Sequence, residues 1–348
     1  MNKYRVIELI GAVSLAVIMM VSCGKKTEPA KVSDNAGIGR EDIVNMSETN
    51  IDDPSDSKTE SGDETKTDDG QMWSFKDGKY TFNFKERDKS AEKDLSDIAS
   101  LRGVALDDQP DDWYFGKSTY DESTGEVTYI WDRSQNTIDT CEQYGAIYRG
   151  DTERKVIYIT FDCGYEYGTT ASILDTLKEK QVSSIFFVTG AYVKSEHALM
   201  ERMLNEGHII GNHTVNHLRA STLSGDDLIK ELENLEDMFY EQFPDAEPLI
   251  FYRPPYGNCD KYVLALTHKM GYHTVLWSYT YMDYDTDNQI SYTEAMNKVK
   301  GGLHPGAVYL FHAESKTNAA ILGDFIDWVR EQGYEILPVC DIIQQRGE

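Results

Sequence analysis

From residue 155 onward the chain repeats one pattern: a short β-branched or aromatic run, then a stretch with apolar residues at helical spacing. The strand-like runs are Val156-Ile157-Tyr158-Ile159-Thr160-Phe161, Ile185-Phe186-Phe187-Val188, His208-Ile209-Ile210, Leu249-Ile250-Phe251-Tyr252, Thr274-Val275-Leu276-Trp277, Val308-Tyr309-Leu310-Phe311 and Glu335-Ile336-Leu337-Pro338-Val339. Between them, helices are predicted over 171–180, around Leu199, Met200, Met203 and Leu204, and over 228–243, 262–270, 292–299 and 319–331. Alternating strands and helices with short turns imply a parallel sheet covered by helices, either an open doubly wound sheet or a barrel. No Gly-x-Gly-x-x-Gly turn follows any strand, which argues against a dinucleotide sheet.

The polar residues at the strand ends decide between the two. Asp162 ends the first strand, His213 follows the third, Arg253 ends the fourth, Asp283 lies beyond the fifth and His312 ends the sixth. A barrel brings all of them to one rim, where barrel chemistry collects; an open sheet spreads them along an edge. The expected fold is therefore an α/β barrel over residues 151–348, preceded by less regular segments.

The N-terminus reads differently. Lys3 and Arg5 form a basic start, and an apolar run over 9–21 is short for a membrane span but right for a signal-peptide core. It ends in Met20-Val21-Ser22-Cys23-Gly24, which resembles the lipobox of a bacterial lipoprotein. That resemblance implies a signal peptide over 1–23, an acylated Cys23 and a protein tethered outside the cytoplasmic membrane; ordinary secretion is the alternative. Residues 24–72 hold few large apolar side chains and predict a disordered acidic linker. Residues 73–150 read as an N-terminal extension, with a strand at Tyr80-Thr81-Phe82-Asn83-Phe84, a helix over 90–101 and a strand over 127–131. The net charge of −26 excludes nucleic acid as a partner, because nothing here would neutralise phosphates. Beyond Cys23, the cysteines Cys141, Cys163, Cys259 and Cys340 match no zinc-finger spacing.

Each rim residue carries a chemical reading beside a structural one. His213 and His217 are four apart, so a helical turn over 212–218 would place both imidazoles on one face to hold a divalent ion. Asp162 caps a turn, or serves as the general base that takes a proton from an attacking water. Arg253 forms a surface ion pair, or fixes Asp162 and keeps it charged. His312 is a core histidine, or the acid that protonates a leaving amine.

Taken in order, Thr160-Phe161-Asp162-Cys163-Gly164, His213-Thr214-Val215-Asn216-His217, Arg253-Pro254-Pro255-Tyr256-Gly257 and Leu310-Phe311-His312 resemble the NodB-homology polysaccharide deacetylases, carbohydrate esterase family 4. The resemblance spans about 145–343. It implies a distorted (β/α)7 barrel and metal-dependent removal of acetyl groups from N-acetylated sugars. By position it makes Asp162 the base, His213 and His217 metal ligands, Arg253 the residue that orients the base and His312 the acid. The Tyr256 N–H then stabilises the oxyanion and Leu310 lines the acetyl pocket. Asp283 matches an aspartate that supports His312 or Arg253, although Tyr284 follows it where the family often has Trp.

The chain departs from the family at Cys163, where a second aspartate usually completes the metal site. A thiolate ligand at Cys163 would favour zinc; the side chain could instead face away, or bridge to Cys259. Members that form muramic δ-lactam in spore-cortex peptidoglycan commonly lack that aspartate. Tyr144-Gly145-Ala146-Ile147-Tyr148 and His304-Pro305-Gly306-Ala307-Val308 are similar to that subgroup. The implied substrate is N-acetylmuramic acid without its stem peptide, in peptidoglycan glycan strands. N-acetylglucosamine of peptidoglycan or chitin-like glycans, and an inactive glycan-binding lipoprotein, are the alternatives.

Overall fold

A computed structural model describes residues 71–88, 94–106, 113, 117–130 and 133–347. The expected signal peptide, Cys23 and almost all of the acidic linker lie outside them. The described residues belong to one compact unit, Lys66–Glu348.

The N-terminal extension contributes two antiparallel hairpins, β1 (Trp73–Lys76) with β2 (Lys79–Phe82) and β3 (Lys117–Asp121) with β4 (Glu126–Ile130), followed by helix α1 (Gln135–Gln143). The first hairpin turns at Asp77-Gly78, both with positive φ, as a tight right-twisted hairpin requires. The helix expected over 90–101 is not found in its described part. Only a 3-10 turn at Ala99–Leu101 forms there, too short to bury an apolar stripe.

The alternating elements follow as β5 (Val156–Cys163), α2 (Thr170–Glu179), β6 (Ile185–Val188), α3 (Gly190–Ser195), α4 (His197–Asn205), β7 (Ile209–Asn212), α5 (Gly225–Gln242), β8 (Phe251–Tyr252), α6 (Lys261–Lys269), β9 (His273–Thr274), α7 (Tyr292–Gly301), β10 (Ala307–His312), α8 (Lys316–Glu331), β11 (Glu335–Ile336) and α9 (Cys340–Arg346). The seven strands from β5 onward that the sequence predicts form one parallel sheet in the order β10-β5-β6-β7-β8-β9, with β11 paired to the start of β5. The sheet curls until its ends meet: Tyr279 bridges Tyr309 beyond β9, and Leu310 N donates to Tyr279 O at 2.9 Å. The result is an irregular α/β barrel. Its β5 is buried along its whole length, as a strand covered on both faces must be.

The end of the extension is woven into the closure. Ile147 N donates to Thr274 O at 2.8 Å, Leu276 N to Ile147 O at 2.7 Å, and Gly150 N to Gly306 O at 2.7 Å. Residues 147–150 thus fill the gap between the short β9 and β10. Helices cover the outside through apolar stripes. On α5, capped by Ser224 and carrying Asp226 and Asp227 in its first turn, the buried positions include Leu228, Leu232, Leu235 and Phe239. No described helix is long and apolar enough to cross a membrane.

The register fixes which residues meet at the rim. In the parallel pairing of β10 with β5, His312 stands opposite Asp162 and Leu310 opposite Thr160. Asp162 is opposite Phe187 on β6, and Phe187 is opposite Gly211 on β7. A Cβ at Gly211 would lie 2.5 Å from the Phe187 ring, so glycine there makes room for that ring.

The closure is testable at Gly306, which has φ +76° and whose added Cβ would lie 2.6 Å from the Gly150 carbonyl oxygen. Since the neighbour is backbone and cannot swing aside, Gly306→Ala is expected to cost about 2–3 kcal/mol. Urea denaturation measures this, and an unchanged midpoint would show that the contact does not hold the barrel closed.

Candidate active site

Arg253 is the most deeply placed charge on the rim. It follows β8, its guanidinium is fully buried, and its donors are distributed over the surrounding strands. Nη1 donates to Asp162 Oδ1 at 2.7 Å, Nη2 to Thr160 Oγ1 at 2.8 Å and Leu276 O at 3.2 Å, and Nε to Val275 O at 3.0 Å. The Phe187 ring lies under it, 4.2 Å from ring centroid to Cζ. Burial, the largest single influence, would raise the Asp162 pKa, but the Arg253 guanidinium together with His213 and His312 holds the carboxyl below its usual range. Asp162 is therefore an ionised carboxylate in a nearly dry place. Removing its partner would leave a buried charge uncompensated, at a cost of about 3–5 kcal/mol.

The two histidines meet, though not on a helix. Residues 213–219 form no helical turn; Thr214 and His217 take left-handed backbone at φ 65° and 53°. Such backbone is unusual for a β-branched residue and persists only where its surroundings impose it. Here Asn212 Oδ1 accepts from Thr214 N at 2.9 Å, Thr214 Oγ1 accepts from His217 N at 3.1 Å, and Gly190 N donates to Thr214 O at 3.1 Å. The two imidazole centroids lie 4.8 Å apart.

His213 Nδ1 is 2.8 Å from Arg253 O. A carbonyl can only accept, so Nδ1 carries the proton and the Nε2 lone pair is free, 3.5 Å from Asp162 Oδ2. Burial lowers the His213 pKa, and burial followed by His213 lowers that of His217 to about 4. Both rings are neutral at neutral pH. Two neutral imidazoles beside an ionised carboxylate, one with its tautomer held by a carbonyl, suit a divalent ion. Among the described residues no three His, Cys, Asp or Glu side chains form a ready three-ligand cluster, so the fit is that of a two-imidazole site.

On the neighbouring wall, His312 Nδ1 lies 2.7 Å from Asp283 Oδ1, while His312 N donates to Asp283 Oδ2 at 2.9 Å. Asn318 on α8 steadies the pair, donating to Asp283 Oδ2 at 2.5 Å and His312 O at 3.1 Å; Tyr281 OH in turn bonds Asn318 Oδ1. Burial would lower the His312 pKa, but the charge and hydrogen bond of Asp283, with smaller contributions from Asp162 and Glu314, bring the ring to about 9. Asp283 therefore supports His312, with Arg253 engaged by Asp162.

These groups open into one cavity of about 860 Å³ lined by Asp162, His213, His217, Leu310 and His312, with Tyr165, Tyr167, Tyr256 and Tyr284 among its other walls. All four tyrosines are exposed. Tyr256 has φ 61°, a forced backbone that sets its peptide at the mouth. Sequence reasoning missed Thr160, Asn318 and Glu314. Asn318 had a signal: it sits on the stripe Asn318, Ile321, Leu322, Phe325 of α8, where an apolar residue would be expected.

Cys163 does not join the site. The strand runs through it, so its side chain points opposite to that of Asp162. It packs in the apolar cluster with Ile159, Phe161, Ile173 and Tyr192. Burial pushes its thiol well above the usual range, away from the thiolate a metal needs. Neither Cys163 nor Cys259 is in a disulfide, so the bridge does not form; the side chain faces away from the site, the alternative to metal ligation.

Residues 149–275 match the profile of the family described as polysaccharide deacetylase. Over 247 residues the chain is 36% identical to the peptidoglycan-N-acetylmuramic acid deacetylase PdaA of Bacillus subtilis, a match spanning 71% of this chain and 91% of that protein. It is 32% identical over 195 residues to a peptidoglycan-N-acetylglucosamine deacetylase of Bacillus cereus, covering 55% of this chain and 90% of that one. The solved structure of Bacillus subtilis PdaA, a family 4 carbohydrate esterase, aligns with a TM-score of 0.62 at 36% identity, over 68% of this chain and 100% of that chain.

Two outcomes follow from this geometry. The His312 charge should be complete below its ordinary pKa of 6.5 and lost as pH rises through about 9. NMR titration of the ring tests this; Asp283→Asn should bring the midpoint to 6.5 or lower, and a wild-type midpoint near 6.5 would contradict the pairing. Cys163→Ser should leave affinity for divalent ions unchanged in a calorimetric zinc titration. A loss of tenfold or more would place the sulfur in the metal site.

Proposed function

The chain belongs to the polysaccharide deacetylase family, carbohydrate esterase family 4, and on that footing we propose that it removes the acetyl group from N-acetylmuramic acid lacking its stem peptide, in peptidoglycan. The observation that carries the reading is the opposite charge state of two groups on adjacent strands: Asp162 held ionised and His312 held protonated, in register and facing one cavity.

The family's enzymes are metal-dependent. We assign zinc, which suits imidazole nitrogen, to His213 and His217; when bound, such an ion supplies Lewis acidity at the acetamide carbonyl. The protein's own groups do the rest. Asp162, fixed by Arg253, takes a proton from the attacking water. The Tyr256 N–H meets the developing oxyanion, and Leu310 bounds the acetyl methyl. His312, charged by Asp283, passes its proton to the leaving nitrogen as the C–N bond breaks, giving acetate and a free amine. The exposed tyrosines around the mouth offer flat faces to a glycan strand.

The muramic reading is favoured by the match to PdaA over 91% of that protein. In it, the freed amine goes on to close the δ-lactam of spore cortex as the lactyl carboxyl loses its hydroxyl as water, a later step that is not assigned to this chain. Deacetylation of N-acetylglucosamine is the second reading, favoured by the 32% identity to the Bacillus cereus enzyme. We place the enzyme outside the cytoplasmic membrane, anchored by a lipid on Cys23, which becomes the N-terminus once the residues before it are cleaved off. Residues 24–72 then act as a tether and 73–150 as an extension of the deacetylase domain at 151–348.

Acetate release from de-peptidated and intact peptidoglycan, with mass analysis of the sugar, tests the proposal. Release should require a divalent ion, stop with chelator and favour the de-peptidated glycan. Asp162→Asn should lower kcat by about 10²–10⁴-fold. No release under any metal supplement would favour a glycan-binding role instead.

A further inference from the structure

One acidic group in the cavity has no task in the reaction so far described. Glu314 lies two residues beyond His312, between β10 and α8, and lines the cavity that holds Asp162, His213, His217 and His312. Its Oε2 is buried and accepts no hydrogen bond. The other carboxylates nearby are all engaged. Asp162 is bound by Arg253, Asp283 by His312 and Asn318, and Glu166 accepts from Thr169 N at 2.9 Å at the start of α2. Buried acceptors are almost always satisfied, and an unsatisfied one on a side chain that lines a substrate cavity is matched when a ligand brings the donor and the side chain turns to meet it.

We propose that Glu314 determines specificity, accepting a hydrogen bond from a donor of the amino sugar beside the scissile amide. This rests on the deacetylase reading above. Its place next to the acid His312 puts it on the side of the leaving nitrogen. Two donors exist there: the amide N–H, present in every N-acetylated sugar, and the neighbouring C3 hydroxyl, which N-acetylmuramic acid lacks because its lactyl ether occupies that oxygen. Burial raises the Glu314 pKa to about 7 against the pull of His312, so the acceptor sits in a dry setting where a lost hydrogen bond counts heavily.

The experiment compares wild type, Glu314→Ala and Glu314→Gln on de-peptidated peptidoglycan and on N-acetylglucosamine oligosaccharides. It measures kcat/KM, calorimetric affinity for the same glycans and thermal stability. Glu314→Ala should lower kcat/KM and affinity about 10- to 100-fold without lowering Tm, and Glu314→Gln, which keeps a carbonyl acceptor, should recover much of the loss. Equal losses on both sugars assign the amide N–H; loss confined to N-acetylglucosamine assigns the hydroxyl. Unchanged kcat/KM and affinity in an active protein overturn the role of Glu314 alone, as does a loss that tracks a fall in Tm and is not recovered by Gln. A wild-type protein that binds glycan but releases no acetate overturns the deacetylase reading, and its affinities still decide Glu314. A wild-type protein that does neither overturns both.

Discussion

The active site depends on a buried ion pair. Placed at the end of β5 without a partner, Asp162 would lose its charge to burial, and with it any power as a base. Arg253 prevents this, and can do so only because its remaining donors end on Thr160, Val275 and Leu276. The same residue's carbonyl sets the His213 tautomer. Side chain and backbone of Arg253 thus fix two different groups, so the Asp162 carboxylate and the His213 imidazole cannot be adjusted independently. The stiffness of the following Pro254-Pro255 pair suits that demand.

Three carboxyl groups share the cavity region, and their surroundings sort them. Asp162 faces a guanidinium and stays charged. Asp283 is shared between an imidazole, a backbone N–H and an amide, and transmits its charge to His312. Glu314 is pushed toward neutrality by burial, despite the pull of His312. The same chemical group serves three purposes because dielectric and neighbours differ over short distances.

Much of the fold was legible because its cause is local. A parallel strand buried on both faces must be continuously apolar, so β5, β6 and β10 stand out as runs. The short strands β8, β9 and β11 are less regular than their apolar runs suggest, since each is only two residues long. Helix α1 of the extension was not foreseen, and a helix over 90–101 was expected where only a 3-10 turn is described. The pairing of His213 with His217 was anticipated for the wrong reason. Four-residue spacing suggests a helix, whereas contacts from Asn212 and Gly190 hold a left-handed turn instead.

Cys163 separates what each level of description decides. By itself the sequence determined the alternation of strands and helices, the polar residues at strand ends and the order of the motifs, because these follow from local apolar spacing. It even held the clue to Cys163: adjacent residues of a strand face opposite sides, so once Asp162 turns inward its neighbour cannot. Only the tertiary structure showed that β5 continues through both residues, and only it could bring Asn318 to Asp283 and leave Glu314 Oε2 without a hydrogen-bond donor. Those outcomes rest on which distant segments meet, and pairing across a curled sheet is set by register and closure rather than by the composition of any one stretch.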